Sequence, residues 1–327
     1  MQKGNKKPHI LCLRFSALGD VAIASVVLKT CARDNPEVTF TLAGPGLLAP
    51  LLEGLPNLNL FPVDKNQSLF KIFRQLIRLH PTHIADLHSV IRTFVLRTMF
   101  FLSGYPVVYL HKGRKSRRRL LKDPVNEPPL IPVYRKYAQT LDKLGFSTPS
   151  LKETNTIPLE KGPWKKVGVA PFARHRGKQW PLERMQRIVE HLAVQETTVF
   201  LFGGGAQENR ILKEWAKDNP RIIVAGDNKE GFSRELEVIR ELDVMISMDS
   251  ANMHFASAVG IPVISIWGAT HPKAGFYGWR QDPERAIQRS LDCRPCSIFG
   301  AKPCWKGTYE CMEKISVEDV IAFLERF

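Results

Sequence analysis

Along most of this chain, apolar positions follow two alternating periods. Short runs of β-branched and aliphatic residues read as buried strands, and each gives way to a stretch with a helical repeat. His9 to Phe15 is the first such run. Ser16-Ala17-Leu18-Gly19-Asp20 breaks it, and Val21 to Ala32 follows as a helix with apolar residues on most faces. Glu37 to Ala43 is a second strand, closed by Gly44-Pro45-Gly46. Leu47 to Leu55 predicts a short helix and Ser68 to Leu79 an amphipathic one. A strand from His83 to Leu87, a helix from Val90 to Leu102 and a strand from Val107 to Leu110 complete the series. Strands and helices alternating through short connections predict a parallel α/β sheet.

Residues 112–132 lose this rhythm, being basic first and then proline-rich. Val133 to Leu144 is helical, and the polar stretch Ser147 to Pro163 reads as an interdomain linker. The rhythm then restarts. Strands are expected at Lys166 to Ala170, Thr197 to Phe202, Arg221 to Ala225, Val244 to Met248 and Pro262 to Trp267. Helices are expected at Pro181 to Ala193, Gln207 to Lys217, Ser233 to Leu242 and Ser250 to Val259, with a terminal helix at Ser316 to Arg326. Five strands alternating with four helices predict a second doubly wound domain. The expected division is 1–158 and 159–327, with the final helix (316–327) able to pack back toward the first domain. Two such halves facing each other would leave a ligand cleft between them.

Composition narrows the class. At 327 residues, 44% hydrophobic and 24% charged, the chain is ordinary globular protein. No apolar run approaches the roughly 20 residues of a membrane-spanning helix. The basic opening Met1 to Pro8 lacks a following signal-peptide core, which predicts a cytosolic protein. Six cysteines are too few for a secreted disulfide scaffold. Charge is uneven. Residues 1–160 carry 12 Lys and 11 Arg against 11 Asp and Glu, a balance of +12, whereas the remainder holds 24 basic and 21 acidic residues. A field concentrated on one half fits an anionic partner: nucleic acid, an anionic membrane, or a phosphorylated or acidic glycolipid. It also fits a solvated basic face.

Six constellations could carry chemistry. Asp20, with Gly19 at the end of the first strand, is placed to act as a general base or to cap the next helix. No G-x-G-x-x-G accompanies it, so a dinucleotide fingerprint is absent. Asp249-Ser250-Ala251-Asn252-Met253-His254 follows an apolar strand. The helix start there is a ready anion site, and His254 lies one turn past Ser250, either facing the same ligand or serving as a core histidine. Gly203-Gly204-Gly205 ends a strand without a Walker A signature; Glu208 beyond it either receives ribose hydroxyls or complements the helix dipole. Lys178, past Ala170-Pro171-Phe172-Ala173, is a candidate phosphate ligand, with Arg174 and Arg176 as competitors. The basic run Lys112, Arg114, Lys115, Arg117, Arg118, Arg119 and Lys122, joined by Arg92 and Arg97, suits phosphates and carboxylates. It has no aromatic interleaving and no groove-reading motif, so no nucleic-acid partner is expected. Cys293, Cys296, Cys304 and Cys311 form either a structural zinc site or a loop of free thiols; their spacing is not that of a zinc ribbon.

Taken in order, these residues resemble glycosyltransferase family 9, the bacterial lipopolysaccharide heptosyltransferases. The resemblance is carried by Leu13 to Asp20, by Asp86-Leu87-His88 with Arg92, and by Val169 to Ala173 with Lys178-Gln179-Trp180-Pro181. Asp249 to His254, Gly260 to Val263 and Trp267 to Thr270 extend it over essentially the whole chain. It implies a GT-B fold of two Rossmann-like domains, the first binding acceptor and the second nucleotide-sugar. It further implies an inverting transfer from ADP-heptose that needs neither metal nor cofactor. Asp20 would be the general base. Lys178 and the helix start at Ser250 to Met253 would hold the diphosphate, with Phe172, Ala173, Glu208, Asp249 and His254 also on the donor side. Ser16, Gly19, Arg92, Arg117, Arg118 and Arg119 would face an anionic glycolipid core, at the inner face of the cytoplasmic membrane. Ala251 departs from the family's usual glycine, which leaves backbone N–H donation intact. The rival readings are another GT-B transferase or epimerase, or a non-catalytic binder of anionic glycolipid.

Overall fold

The computed structural model describes residues 7–64, 66–146, 148–151, 155–227 and 231–327. Residues 1–6 of the basic opening segment, and 147 and 152–154 of the expected linker, lie outside them. The chain forms two compact units, Met1–Lys112 with Val133–Thr154, and Gly113–Pro132 with Asn155–Phe327.

The first unit holds strands β1 (His9–Leu13), β2 (Thr39–Gly44), β3 (Leu58–Pro62), β4 (His83–Asp86) and β5 (Val107–Tyr109). They form one parallel sheet in the order β3-β2-β1-β4-β5. Its helices are α1 (Leu18–Asp34), α2 (Leu69–Ile77) and α3 (Ile91–Leu102), and α5 (Val133–Asp142) returns to it. β1 is central and, from Ile10 to Leu13, apolar and buried, as a strand covered on both faces must be. Leu11 and Leu13 pack with Ile72, Leu76, Leu96 and Phe100 from α2 and α3.

The second unit begins with α4 (Arg114–Lys122), then holds β6 (Lys166–Ala170), β7 (Thr198–Leu201), β8 (Ile222–Val224), β9 (Val244–Met248), β10 (Val263–Trp267) and β11 (Ala286–Gln288). These six are parallel in the order β11-β10-β9-β6-β7-β8, one more than the five expected. Its other helices are α6 (Leu182–Val194), α7 (Ala206–Ala216), α8 (Phe232–Arg240), α9 (Ala251–Val259), α10 (Glu310–Glu313) and α11 (Val317–Leu324). Ser316 caps α11 reciprocally with Asp319. α11 packs Val317, Val320 and Leu324 into the core of this same unit. No helix among the described residues is long and apolar enough to cross a membrane.

The basic run behaves differently from expectation. From Arg114 to Lys122 it is a helix, and that helix belongs to the second unit, not the first, while Lys112 stays with the first. Leu120 and Leu130 pack with Ala274 and Ile298, and Leu130 N donates to Lys273 O at 2.8 Å. The charge asymmetry shrinks accordingly. The first unit carries 17 basic and 8 acidic residues, the second 30 and 24.

Candidate functional site

In an open parallel sheet, ligands bind beyond the carboxyl ends of the two strands where the strand order reverses. In the first unit those strands are β1 and β4. The chain leaving β1 carries Arg14, which is buried although charged. Its Nη1 donates to Leu87 O at 3.0 Å and its Nη2 meets Asp20 Oδ2 at 2.5 Å. Asp20 therefore does not take the N-cap position of α1, which Ala17 occupies without a side-chain bond. It sits in the first helical turn, held by Arg14, with its side chain still 22% exposed.

Ser16 is exposed, and its Oγ lies 3.5 Å from His88 Nε2. Burial pushes the His88 imidazole down to about 3, and the positive charges of Arg14 and Lys112 push the same way. Its Nδ1 is buried without a hydrogen-bond partner. Asp86, ending β4, is wholly buried and accepts from the His88 and Ser89 N–H groups and from Arg97. Gly19 lies beside Asp20 in the first turn of α1, and Arg92 Nη2 donates to Gln67 O at 2.6 Å.

In the second unit the order reverses between β6 and β9. The loop leaving β6 is strapped by Gln179, whose Oε1 accepts from Ala173 N and whose Nε2 donates to Pro171 O, both at 2.7 Å. Ala173 thus has its N–H engaged, and Phe172 is half-buried beside it. A single turn, Arg176–Lys178, then brings Lys178 Nζ to 3.0 Å from Asp249 Oδ2. Asp249 ends β9, is 4% exposed, and also accepts from Thr270 Oγ at 2.7 Å. It faces the lysine and the threonine rather than presenting itself as an open contact.

α9 begins immediately after. Ser250 is its N-cap, yet the side chain does not bond the helix; it lies 3.3 Å from Ser247 Oγ. The first-turn N–H groups at Ala251, Asn252 and Met253 therefore have no side-chain cap, the arrangement that suits an anion. Ala251 and Asn252 are partly exposed, whereas Met253 and His254 are buried beneath them. Glu208 is engaged locally: its Oε2 accepts from Gly204 N at 2.6 Å, tying the glycine turn to α7.

Arg117 is placed differently from expectation, and several supporting residues carry no signal in the sequence. Arg117 lies over the rings of Phe276 and Phe299, at 5.6 and 5.2 Å, while Arg118 and Arg119 are exposed. The four late cysteines are free thiols, and among the described residues no group of three or more His, Cys, Asp or Glu is arranged to hold a metal ion. Burial raises Cys311 to about 11. The segment around them instead braces the lysine. Gly300 is left-handed (φ +76°), and a Cβ there would meet Lys178 Cδ at 2.5 Å. Arg294, buried, donates to the Gly268, Arg289 and Thr270 carbonyls, fixing the chain that presents Thr270 to Asp249. Arg14 and Thr270 both stood inside the motifs noted in the sequence, but pairing across strands is not a spacing signal.

Two parallel sheets of this order, each with polar side chains gathered at its reversal point, are the fold of the GT-B glycosyltransferases. Residues 134–297 match the model of glycosyltransferase family 9 (heptosyltransferase), and the chain belongs to that family. Lipopolysaccharide core heptosyltransferase OpsX of Haemophilus influenzae is 21% identical over 288 residues, 81% of this chain and 80% of that protein. Lipooligosaccharide heptosyltransferase 2 of the same organism is 26% identical over 156 residues, covering 46% of this chain and less than half, 44%, of that protein. Among solved structures, E. coli heptosyltransferase WaaC with ADP superposes with a TM-score of 0.68 at 17% identity, over 97% of this chain and 99% of that one. A family 9 glycosyltransferase from Veillonella parvula gives 0.71 at 17% identity, over 98% of each chain.

Proposed function

We propose that this protein transfers heptose from ADP-heptose, with inversion, to an anionic glycolipid acceptor of the lipopolysaccharide-core type. A hydroxyl of the acceptor attacks the anomeric carbon, the bond from that carbon to the diphosphate breaks, and Asp20 takes the hydroxyl proton. Lys178 and the open first turn of α9 stabilise the departing ADP, with no metal ion or cofactor. Asp249 acts behind Lys178, since a carboxylate touching the diphosphate directly would repel it. Phe172, Ala173 and Glu208 border the nucleoside, and His254 supports the first turn of α9 from below. Ser16, Gly19, Arg92, Arg118 and Arg119 meet the acceptor; Arg117, laid over two rings, serves packing instead. The enzyme works in the cytoplasm at the inner membrane face, where such an acceptor is anchored, and nucleic acid is not a partner.

The observation that carries this reading is the Lys178–Asp249 pair beside an uncapped helix start at the reversal point of the second sheet. The named binding of ADP by WaaC, similar over nearly its whole length, supports the choice of nucleotide. Calorimetric titration with ADP-, GDP- and UDP-sugars tests it. ADP-heptose should bind best. Lys178→Ala should weaken ADP binding by about 1.5–3 kcal/mol, the range of a charge-assisted hydrogen bond, and leave adenosine binding nearly unchanged. Preference for a GDP- or UDP-sugar would overturn the donor, and equal losses for ADP and adenosine would remove Lys178 from the diphosphate.

A further inference from the structure

The outward side of α3 is apolar where a solvent-facing helix is ordinarily polar. Ile91 is 86% exposed, Leu102 79%, Phe101 67%, Phe94 54% and Val95 38%. At about 100° per residue, these five and Thr98 fall within an arc of roughly 120°. Thr93, Leu96 and Phe100 lie on the opposite side, wholly buried. α3 thus covers the sheet with one face and shows a second apolar face to the outside.

Cations border that face, and exposed carboxylates are missing from its stretch of chain. Arg92 and Arg97 flank it on α3. Arg92 reaches Gln67 O, which brings the start of α2 alongside. There Phe70 is 62% exposed beneath the Arg74 guanidinium, Lys71 and Arg74 are exposed on the same helix, and Arg78 is exposed at its C-terminal cap. From 66 to 112 the sequence has six Lys and Arg and a single acid, Asp86, which is buried against Arg97. An apolar stripe edged with cations is the chemistry of a helix lying in the interface of an anionic bilayer. At 12 residues α3 is about 18 Å long, enough to lie in that plane and too short to cross it.

We propose that the outer face of α3, with the exposed edge of α2, docks this protein on anionic lipid. The proposal deepens the reading of a lipid-borne acceptor and rests on it for the setting, while the face itself is defined by exposure and charge. Ile91, Phe94, Phe101 and Leu102 enter the headgroup boundary; Lys71, Arg74 and Arg78 meet lipid phosphates.

Flotation with vesicles free of glycolipid tests it. The protein should float with phosphatidylcholine vesicles containing one quarter phosphatidylglycerol, not with phosphatidylcholine alone, and should release at high salt. Phe101→Ser with Leu102→Ser should lower partitioning about tenfold or more, and Lys71→Glu with Arg74→Glu should do the same. Val194→Ser, removing an equally exposed apolar side chain from α6, should change nothing. Unaltered thermal midpoints confirm that the variants are folded. Undiminished flotation of the Phe101/Leu102 variant overturns the proposal. So does self-association that this variant abolishes in the absence of any vesicle binding, which would assign the face to a second copy of the chain. Sugar transfer to a soluble acceptor without flotation overturns the docking face alone. Flotation without nucleoside diphosphate binding overturns the transferase reading and leaves the docking face standing.

Discussion

A guanidinium buried at the end of β1 cannot be left without a counter-charge, because the desolvated ion is costly when unpaired. Arg14 finds it in Asp20, and that pairing gives the carboxylate a fixed direction as well as a partner. The two roles open to Asp20 from sequence, base or cap, are thereby reduced: the cap position is held by Ala17. Asp20→Asn separates the remaining effects. The amide oxygen still accepts from Arg14, so stability should fall by about 1–3 kcal/mol, the cost of weakening one charged hydrogen bond. Turnover should fall by ~10²–10⁴, since an amide takes no proton. Thermal unfolding and a transfer assay with radiolabelled donor measure the two separately. A folded Asp20→Asn protein with near-wild-type turnover would take Asp20 out of the chemistry.

At the scale of elements, the parts easiest to read were those with a long apolar run or a full helical face. β6 and β9 fall where expected because β9 is buried throughout and β6 is buried from Val167 to Ala170. β3 and β11 carry no such signal: β3 has exposed positions and ends in proline, and β11, Ala286-Ile287-Gln288, has a single β-branched residue. α4 was hidden by its own charge, with Leu120 its one buried side chain. Its arginines now divide. Arg118→Gln with Arg119→Gln should raise the acceptor KM and flatten its salt dependence without moving the thermal midpoint; the Arg119–Glu127 pair is too exposed to add much. Arg117→Gln should instead lower the midpoint, losing about 0.5–2 kcal/mol of contact with Phe276 and Phe299. Acceptor kinetics unmoved by the double variant would return α4 to a purely structural role. The cysteine segment yields a second contrast. Gly300→Ala and Gly307→Ala both force alanine into a left-handed conformation, at φ +76° and +74°, and each should cost on the order of 1 kcal/mol of stability. Only the Gly300 Cβ meets Lys178; nothing lies within 4 Å of the other. ADP affinity, measured by calorimetry, should therefore drop about tenfold in Gly300→Ala alone, if displacing Lys178 costs one charged hydrogen bond.

At the scale of the whole molecule, two α/β units were legible because each repeats a strand-helix rhythm around its own sheet. The assignment of residues 113–132 was not, since a few leucines among prolines and arginines do not say which surface they will cover. The two units also differ in a property that no motif shows. In the first, burial lowers His9, His83 and His88, the last to about 3. In the second, burial likewise lowers His175 and His271, the latter to about 4, but it also raises Glu235 to about 7. The signs oppose. A histidine kept neutral in the fold contributes its full stability above about 6.5, and loses it as the unfolded chain takes up the proton, at most about 1.4 kcal/mol per pH unit. Glu235 binds its proton in the fold before it would in the unfolded chain, so between about 7 and 4.5 it gains stability as pH falls. Acidification from pH 7 to 5 should thus weaken the first unit more than the second. Amide exchange at the two pH values, corrected for intrinsic rates, should show protection falling in β1 to β5 while β6 to β11 hold. His88→Asn should restore part of the loss in the first unit, and Glu235→Gln should make the second acid-sensitive as well. Equal loss across both sheets, or earlier loss in the second, would show that these buried groups do not set the order of unfolding.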